Sequence, residues 1–261
     1  MTAAPAPIRR RRRRDDRSVP ARAFALLDAF GADGAVRLSL SDLAARASLP
    51  LATAHRLAEE CVRWGGLERR ADGSYQLGLK LWKLGLRYPD AREIRQISVP
   101  VLQDLYELTH ESIQLAALDG LRAIYLQRYA GRTTVAERAQ LGRRVPLHCT
   151  SAGLVLLAHG GDALIAAVLA EGPERFLPAT MTSAAELGSR LAAIRAAGTA
   201  ETRDEYLPGA ASVAAPIRDE AGVVVAAVSL IAPSAGPIDP RFSVAVRLAA
   251  DTVSRGLGWR R

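Results

Sequence analysis

At 261 residues the chain is long enough for two domains with separate cores, and 49% hydrophobic residues with a mean hydropathy of +0.05 exclude overall disorder. No apolar run approaches the roughly 20 residues of a membrane span. The basic N-terminus lacks the apolar centre of a signal peptide, so a soluble, cytoplasmic protein without a membrane partner is expected. The net charge of +8 is uneven: residues 1–17 hold seven Arg and two Asp, whereas residues 91–261 hold eighteen basic and seventeen acidic side chains. Two cysteines, Cys61 and Cys149, fall in different expected domains and make no metal-ligand spacing.

Residues 1–17 carry Pro5, Pro7 and arginine at every position from 9 to 14. Without apolar periodicity they read as a disordered basic arm, either touching DNA phosphates in a salt-dependent way or simply solvated. Residues 18–30 read as a helix capped by Ser18, with Pro20 in the first turn and Ala23, Leu26, Leu27 and Phe30 as its buried stripe.

The next stretch is the most informative. Ser39 and Asp42 form a capping-box pattern opening a helix through Ala47. Pro50 suits the first turn of a second helix, whose Ala54, Leu57, Ala58 and Cys61 share one face. Ala52, Thr53, His55, Arg56, Glu59, Glu60 and Arg63 lie on the opposite arc, and Gly65-Gly66 stops the helix. Strands at 67–70 and 75–77 flank Asp72-Gly73, a hairpin signal. Helix, turn, helix and hairpin is the plan of a winged helix-turn-helix, in which the N-terminal half of the second helix enters the major groove of double-stranded DNA. Thr53, His55 and Arg56 stand there with Leu51 and Ala52; Ser39 and the wing residues Arg69 and Arg70 complete the expected contacts. An amphipathic surface helix of an ordinary domain would show much of the same pattern.

Residues 78–86 continue as a helix, Tyr88-Pro89-Asp90 reads as a break, and residues 91–109 read as a second helix with Pro100 predicting a kink. Ile94, Ile97, Val101, Leu105 and Leu108 near heptad spacing would pack on the second domain or on another subunit, as a homodimer or homotetramer requires. From Ser112 the period becomes two: Ile113, Leu115 and Ala117 alternate, Asp119-Gly120 turns, and Ile124 and Leu126 alternate back. A loop with Gly131 and Gly142 leads to the stretch from Val145 to Gly153 and then a helix through Ala158, followed by helices at about 162–171 and 183–197. Strands at 199–205, 212–217 and 222–232 and a helix at 240–257 complete an α+β unit with a mainly antiparallel sheet. The expected organisation is a basic arm (1–17), a winged helix-turn-helix (18–78), linker helices (79–110) and a C-terminal unit (111–261).

Several residues invite a catalytic reading. His148 beside Cys149, with Ser151 close by, resembles part of a triad, but neighbours in a strand or turn point different ways and no G-x-S-x-G elbow is present. His110 and His159 near helix ends read as structural or solvated. No cofactor or metal motif appears. A ligand pocket is better founded: the strand from Val223 to Ile231 is almost wholly apolar, so Ser229, sharing a face with Val225, Ala227 and Ile231, stands out. A lone buried serine is as often just bonded to the backbone.

The runs DLAARASLPLATAHRL, GGLERR and DGSYQLGLKLWKLG resemble the IclR family of bacterial transcriptional regulators. The second half matches too, in Val145-Pro146-Leu147-His148, Ser151-Ala152-Gly153, Glu205, Gly209, Val213-Ala214-Ala215-Pro216 and Ala227-Val228-Ser229. The resemblance covers about residues 18–257 and implies a GAF-like effector-binding domain behind the DNA-binding one. It departs at Leu51 and Ala52, where a basic and a hydroxyl residue are usual, and at Gly153-Leu154-Val155, where the family has G-K-A. Carried over residue by residue, it implies an effector site of Val145, Ser151, Ala152, Ala210, Ser212, Ser229 and Ile231. Ile231 stands where a second serine is frequent and Thr202 where an acid is frequent, so a larger or aromatic acid is expected rather than a two- or three-carbon one. The expected function is ligand-responsive regulation of transcription, not enzyme activity. The rivals are a DNA-tethered enzyme acting on a small metabolite and a ligand-free architectural DNA-binding protein.

Overall fold

The computed structural model describes residues 17–31, 35–85, 89–132 and 141–260. The arginine run, Tyr88 of the expected break and most of the loop between Gly131 and Gly142 lie outside them. The chain divides into two compact units, Met1–Leu86 and Arg87–Arg261, so the two expected linker helices fall on opposite sides of the division.

The first unit packs α1 (Val19–Asp28), α2 (Leu40–Arg46) and α3 (Leu51–Trp64) around Leu26, Leu43, Leu57 and Tyr75. The Ser18 hydroxyl accepts the Ala21 N–H, and the Ser39–Asp42 capping box is complete in both directions. Pro50 is the N-cap of α3 rather than a first-turn residue; its extended ψ of 141° turns the chain out of α2 before α3 begins. Helix α3 ends at Gly65, whose φ of 85° only glycine adopts cheaply, with the Gly66 N–H donating to Cys61 O. Strands β1 (Leu67–Arg69) and β2 (Tyr75–Leu77) form the wing, with Leu67 opposite Leu77, and Leu38 pairs with Tyr75 as an extra bridge. Asp72 accepts the Ser74 N–H and hydroxyl, setting the turn. A Cβ on Gly78 would lie 2.2 Å from Gly65 O, so the two loops cross where no side chain fits. Helix α4 (Leu79–Gly85) follows.

The second unit opens with α5 (Pro89–Thr109). Pro89 and Asp90 belong to the first turn of this helix instead of breaking the chain, because a first-turn N–H has no helical partner to lose. The six-stranded antiparallel sheet has the order β5-β4-β3-β8-β7-β6. Its strands are β3 (Ser112–Asp119), β4 (Arg122–Tyr129), β5 (Arg144–Pro146), β6 (Ala200–Arg203), β7 (Ala210–Arg218) and β8 (Val224–Pro233). Strand β6 stops at Arg203, short of the expected Glu205, because Asp204 takes a φ of 50° and accepts the Gly209 N–H.

Helices cover both faces of this sheet. Leu102 and Leu105 of α5 and Val246 and Val253 of α9 (Pro240–Gly256) pack with Ile113, Leu115, Val213 and Val228. On the other face, α6 (Ser151–His159), α7 (Asp162–Glu171) and α8 (Ala184–Ala197) pack through Leu154, Leu157, Leu187 and Leu191 on Ala116, Ala214 and Ala227. A β-bulge shifts the β3–β4 register so that Ala116 opposes Tyr125 instead of Leu126. It turns Tyr125 toward the α6 face and leaves Leu126 packed on the α5–α9 side.

Candidate DNA-reading face and ligand cavity

Helix α3 buries Ala54, Leu57, Ala58 and Cys61 and presents Leu51, Ala52, His55, Arg56 and Glu60 to solvent, with Thr53 half-buried. The apolar face anchors the helix in the core, so the polar arc is offered outward as a rigid surface. Ser39 is engaged in capping: its hydroxyl donates to Asp42 Oδ2 at 2.6 Å and accepts the Asp42 N–H at 3.1 Å. Arg69 is not simply a phosphate-facing wing residue. Its guanidinium lies 3.7 Å from Glu59 and 5.8 Å over the Tyr75 ring, while the Tyr75 hydroxyl donates to Glu59. The wing thus offsets the acid that α3 carries behind Arg56. Arg70 is exposed at the hairpin end.

The second unit holds a small cavity of about 30 Å³ between the start of α6, the β6–β7 connection and the sheet, so a ligand larger than a water or two must widen it. Ser151, Ala210, Ser212, Ser229 and Ile231 stand on its wall. Val145 and Ala152 do not: both are fully buried, packed into the apolar cluster with Leu147, Leu154 and Leu157. Tyr125, Thr202, Glu205, Tyr206 and Leu207 also line it.

Two features give one end of this cavity its chemistry. The first is a chain of buried hydroxyls: Thr202 Oγ1 lies 2.6 Å from Ser212 Oγ, which donates to Ser151 Oγ at 2.8 Å. With the Ser212 proton committed, the Ser151 proton is left to donate into the cavity. The second is the start of α6. Thr150 caps it by accepting the Gly153 N–H, and the helical ladder begins with Leu154 N–H donating to Thr150 O. The N–H groups of Ser151 and Ala152 therefore have no partner inside the helix and carry its positive end. Gly153 is required there: a Cβ would lie 2.6 Å from Pro146 O and 2.7 Å from Leu147 Cα. Leu154 and Val155, which stand where the family has Lys and Ala, are fully buried core residues.

The cavity's acid is neutralised. Glu205 accepts a two-pronged pair from Arg190, with Nη1–Oε2 at 2.7 Å and Nη2–Oε1 at 2.8 Å, and the Arg190 guanidinium also donates to Glu201 O. Burial pushes the Cys149 thiol up to about 12 and raises the Tyr125 phenol well above its ordinary value, so both stay protonated at neutral pH. His148 does not form a triad with Cys149 or Ser151. Its Nε2 lies 2.9 Å from Glu174 O, and its ring stacks on Phe176. His110 packs edge-on against Tyr106, and burial lowers the His159 imidazole. Among the described residues, no three His, Cys, Asp or Glu side chains are grouped to hold a metal, and no helix is long and apolar enough to cross a membrane.

Gln114 was not among the expected residues. The strand alternation of Ile113 and Leu115 marks the α5–α9 face, and Gln114 would face water if the other side of the sheet were open. It is fully buried and accepts a hydrogen bond from Ser229 at 3.1 Å. Its one legible signal is a polar residue in a strand both of whose faces the later helices must cover.

Two family models match the chain: the IclR helix-turn-helix domain over residues 19–71 and the bacterial transcriptional regulator IclR C-terminal domain over residues 86–255. The HTH-type transcriptional regulator XynR of Escherichia coli K12 is 32% identical over 91% of this chain and 96% of its own length. The HTH-type transcriptional repressor AllR of the same strain is 29% identical over 84% of this chain and 83% of its own. Among solved structures, an IclR homologue from Microbacterium hydrocarbonoxydans in complex with 4-hydroxybenzoate is similar with a TM-score of 0.86. It shares 35% identity and is covered over 92% of this chain and 99% of that one. With both family models in sequence and a winged helix-turn-helix followed by a ligand-cavity domain in three dimensions, the chain belongs to the IclR family of bacterial transcriptional regulators.

Proposed function

We propose that the C-terminal unit of this regulator senses a small aromatic carboxylic acid, and that binding changes how a dimer of the N-terminal units holds DNA. The observation that carries the effector class is the polarity of the cavity. Buried hydroxyls meet the N-terminal end of α6 there, where a carboxylate is favoured. Ile231, Tyr125 and Leu207 supply apolar wall beyond them. Arg190 already occupies Glu205, so no acid repels the incoming anion. The 4-hydroxybenzoate held by the Microbacterium homologue is a ligand of this class. Protonated Cys149 and a His148 held by Glu174 and Phe176 support binding without turnover.

On the DNA side, Thr53, His55 and Arg56 would read base edges, with Leu51 and Ala52 against apolar base surface and Arg70 toward phosphate. Phe24, Leu79, Trp82 and Leu84 are all exposed large apolar side chains of the first unit. Such a concentration on α1 and α4 favours burial against a second copy, as two half-sites require. Effector control then follows as a population shift, in which the ligand favours one arrangement of the dimer. The reading is tested by calorimetry on the full-length protein with 4-hydroxybenzoate, benzoate, glyoxylate and pyruvate. Aromatic acids are expected to bind and the two short acids not; tight glyoxylate or pyruvate binding without aromatic binding would overturn it.

A further inference from the structure

A cavity of about 30 Å³ admits no organic effector until it widens, since about 150 Å³ is what holds a single benzene ring. Part of the wall must retreat, and its parts differ in what retreat would break. Tyr125, Thr202, Ser212, Ser229 and Ile231 stand on β4, β6, β7 and β8, within the paired sheet. Ser151 opens α6, in which every residue from Ser151 to Ala158 is buried. Moving any of these disrupts a ladder or the core. Glu205, Tyr206 and Leu207 stand instead on the connection between β6, which ends at Arg203, and β7, which begins at Ala210.

The connection is a flap on a closed stem. Asp204 and Gly209 bound it, with φ of 50° and 73°. The Asp204 N–H donates to Ala210 O at 2.8 Å, the Gly209 N–H to Asp204 Oδ1 at 2.6 Å and the Ser234 N–H to Gly209 O at 2.8 Å, which fixes both ends to the sheet. The span between is tied to the helical layer. The Glu205 carboxylate takes both Arg190 Nη groups, at 2.7 and 2.8 Å, and Glu205 O accepts the Thr180 hydroxyl at 2.5 Å. The Tyr206 ring meets Phe176 edge-on at 5.0 Å. With the Glu205 side chain 8% exposed and that of Arg190 19%, the two-pronged pair is the strongest of these ties.

We infer that residues 204–209 form a lid over the cavity, and that the Glu205–Arg190 pair is the latch that holds it shut. Opening carries Glu205, Tyr206 and Leu207 away, while the Ser151, Ser212 and Thr202 hydroxyls stay with α6 and the sheet. The lid's role as a ligand entrance rests on the effector reading above; its opening is measured without ligand.

Cys149 reports that opening. It lines the cavity and is 1% exposed, so iodoacetamide reaches it only when the wall moves. The test compares Cys149 labelling rates, by peptide mass spectrometry without denaturant, in full-length wild type, Glu205→Gln, Arg190→Gln and Leu102→Ala. Glu205 pushes the Cys149 thiol up and Arg190 brings it down, so charge alone would speed labelling in Glu205→Gln and slow it in Arg190→Gln. Loss of the latch should speed both, by about tenfold or more. Leu102→Ala destabilises the same unit from the other face of the sheet and should stay within about threefold of wild type. Where Arg190→Gln does not fold, Arg190→Lys keeps the charge, loses the two-pronged geometry and should still give a rise of about threefold. Opposite effects of the two charge variants, wild-type rates in both, or equal speed in Leu102→Ala would overturn the latch. Saturating 4-hydroxybenzoate should block the labelling; labelling indifferent to ligand that calorimetry shows to be bound overturns that ligand's place in the cavity and leaves the lid standing.

Discussion

Ser212→Ala tests whether the buried hydroxyls act as one chain. Ser212 is 9% exposed and is the middle member, 2.6 Å from Thr202 and 2.8 Å from Ser151. Removing its oxygen deletes two neutral hydrogen bonds at about 1 kcal/mol net each, and water entering from the cavity recovers part of that. The expected loss is therefore about 1–2 kcal/mol, which for a unit of this size lowers Tm by roughly 2–8 °C. Effector binding should weaken by about tenfold, because Ser151 loses the donor that turns its own proton toward the ligand. The decisive measurement is a double-mutant cycle with Ser151→Ala, read by calorimetry with 4-hydroxybenzoate and by thermal melting. If Ser212 acts through Ser151, the double variant binds no more weakly than Ser151→Ala alone. Two effects that simply add in free energy would refute the chain and make Ser212 an independent contact.

Cys149 should resist alkylation in the folded protein: with the thiol pushed up to about 12, only about one molecule in ten thousand is thiolate at pH 8. Iodoacetamide labelling that waits for denaturation agrees with this, and rapid labelling of the folded chain would reopen the enzyme reading. Burial, with smaller contributions from Arg218 and Arg195, holds the His159 imidazole below its ordinary 6.5. The unfolded chain then takes up the proton first, so this group's stabilising effect is complete above about pH 6.5 and is lost as pH falls toward the folded-state value. Thermal melts from pH 7.5 to 5.5 should show that decline, and His159→Gln should reduce it; an unchanged slope would remove His159 as the cause. Gly78→Ala should unfold the first unit or lower its melting point sharply, because the added Cβ meets Gly65 O at 2.2 Å and a backbone carbonyl cannot yield cheaply.

The first unit was legible because its signals are local. Ser39 and Asp42 three residues apart, Gly65-Gly66 and Asp72-Gly73 each determine a cap or turn through their own backbone and side chains. What local pattern misses there is contact between distant residues: the Leu38–Tyr75 bridge, and Arg69 drawn to Glu59. Of the cavity wall, strand pattern alone pointed to Ser229, and the family resemblance added Ser151, Ala210, Ser212 and Ile231. Val145 and Ala152 came with the same resemblance and lie behind the wall, since a motif marks a neighbourhood in the chain and packing decides which side chains emerge from it. Tyr125 depends on a bulge that changes the face of β4 partway along, and Gln114 on helices contributed some forty residues or more later. Tyr125 carries no signature within its own strand, and Gln114 only its polarity.

Ligand in the second unit should change DNA binding by the first. This is tested most directly by a mobility-shift titration of a DNA fragment from beside the protein's own gene, with and without saturating 4-hydroxybenzoate, using wild type and Arg56→Ala. The expected result is a specific complex that Arg56→Ala weakens by about 1–3 kcal/mol and whose midpoint moves by about tenfold or more when ligand is added to wild type. A specific complex whose midpoint is indifferent to a ligand that calorimetry shows to be bound would contradict it.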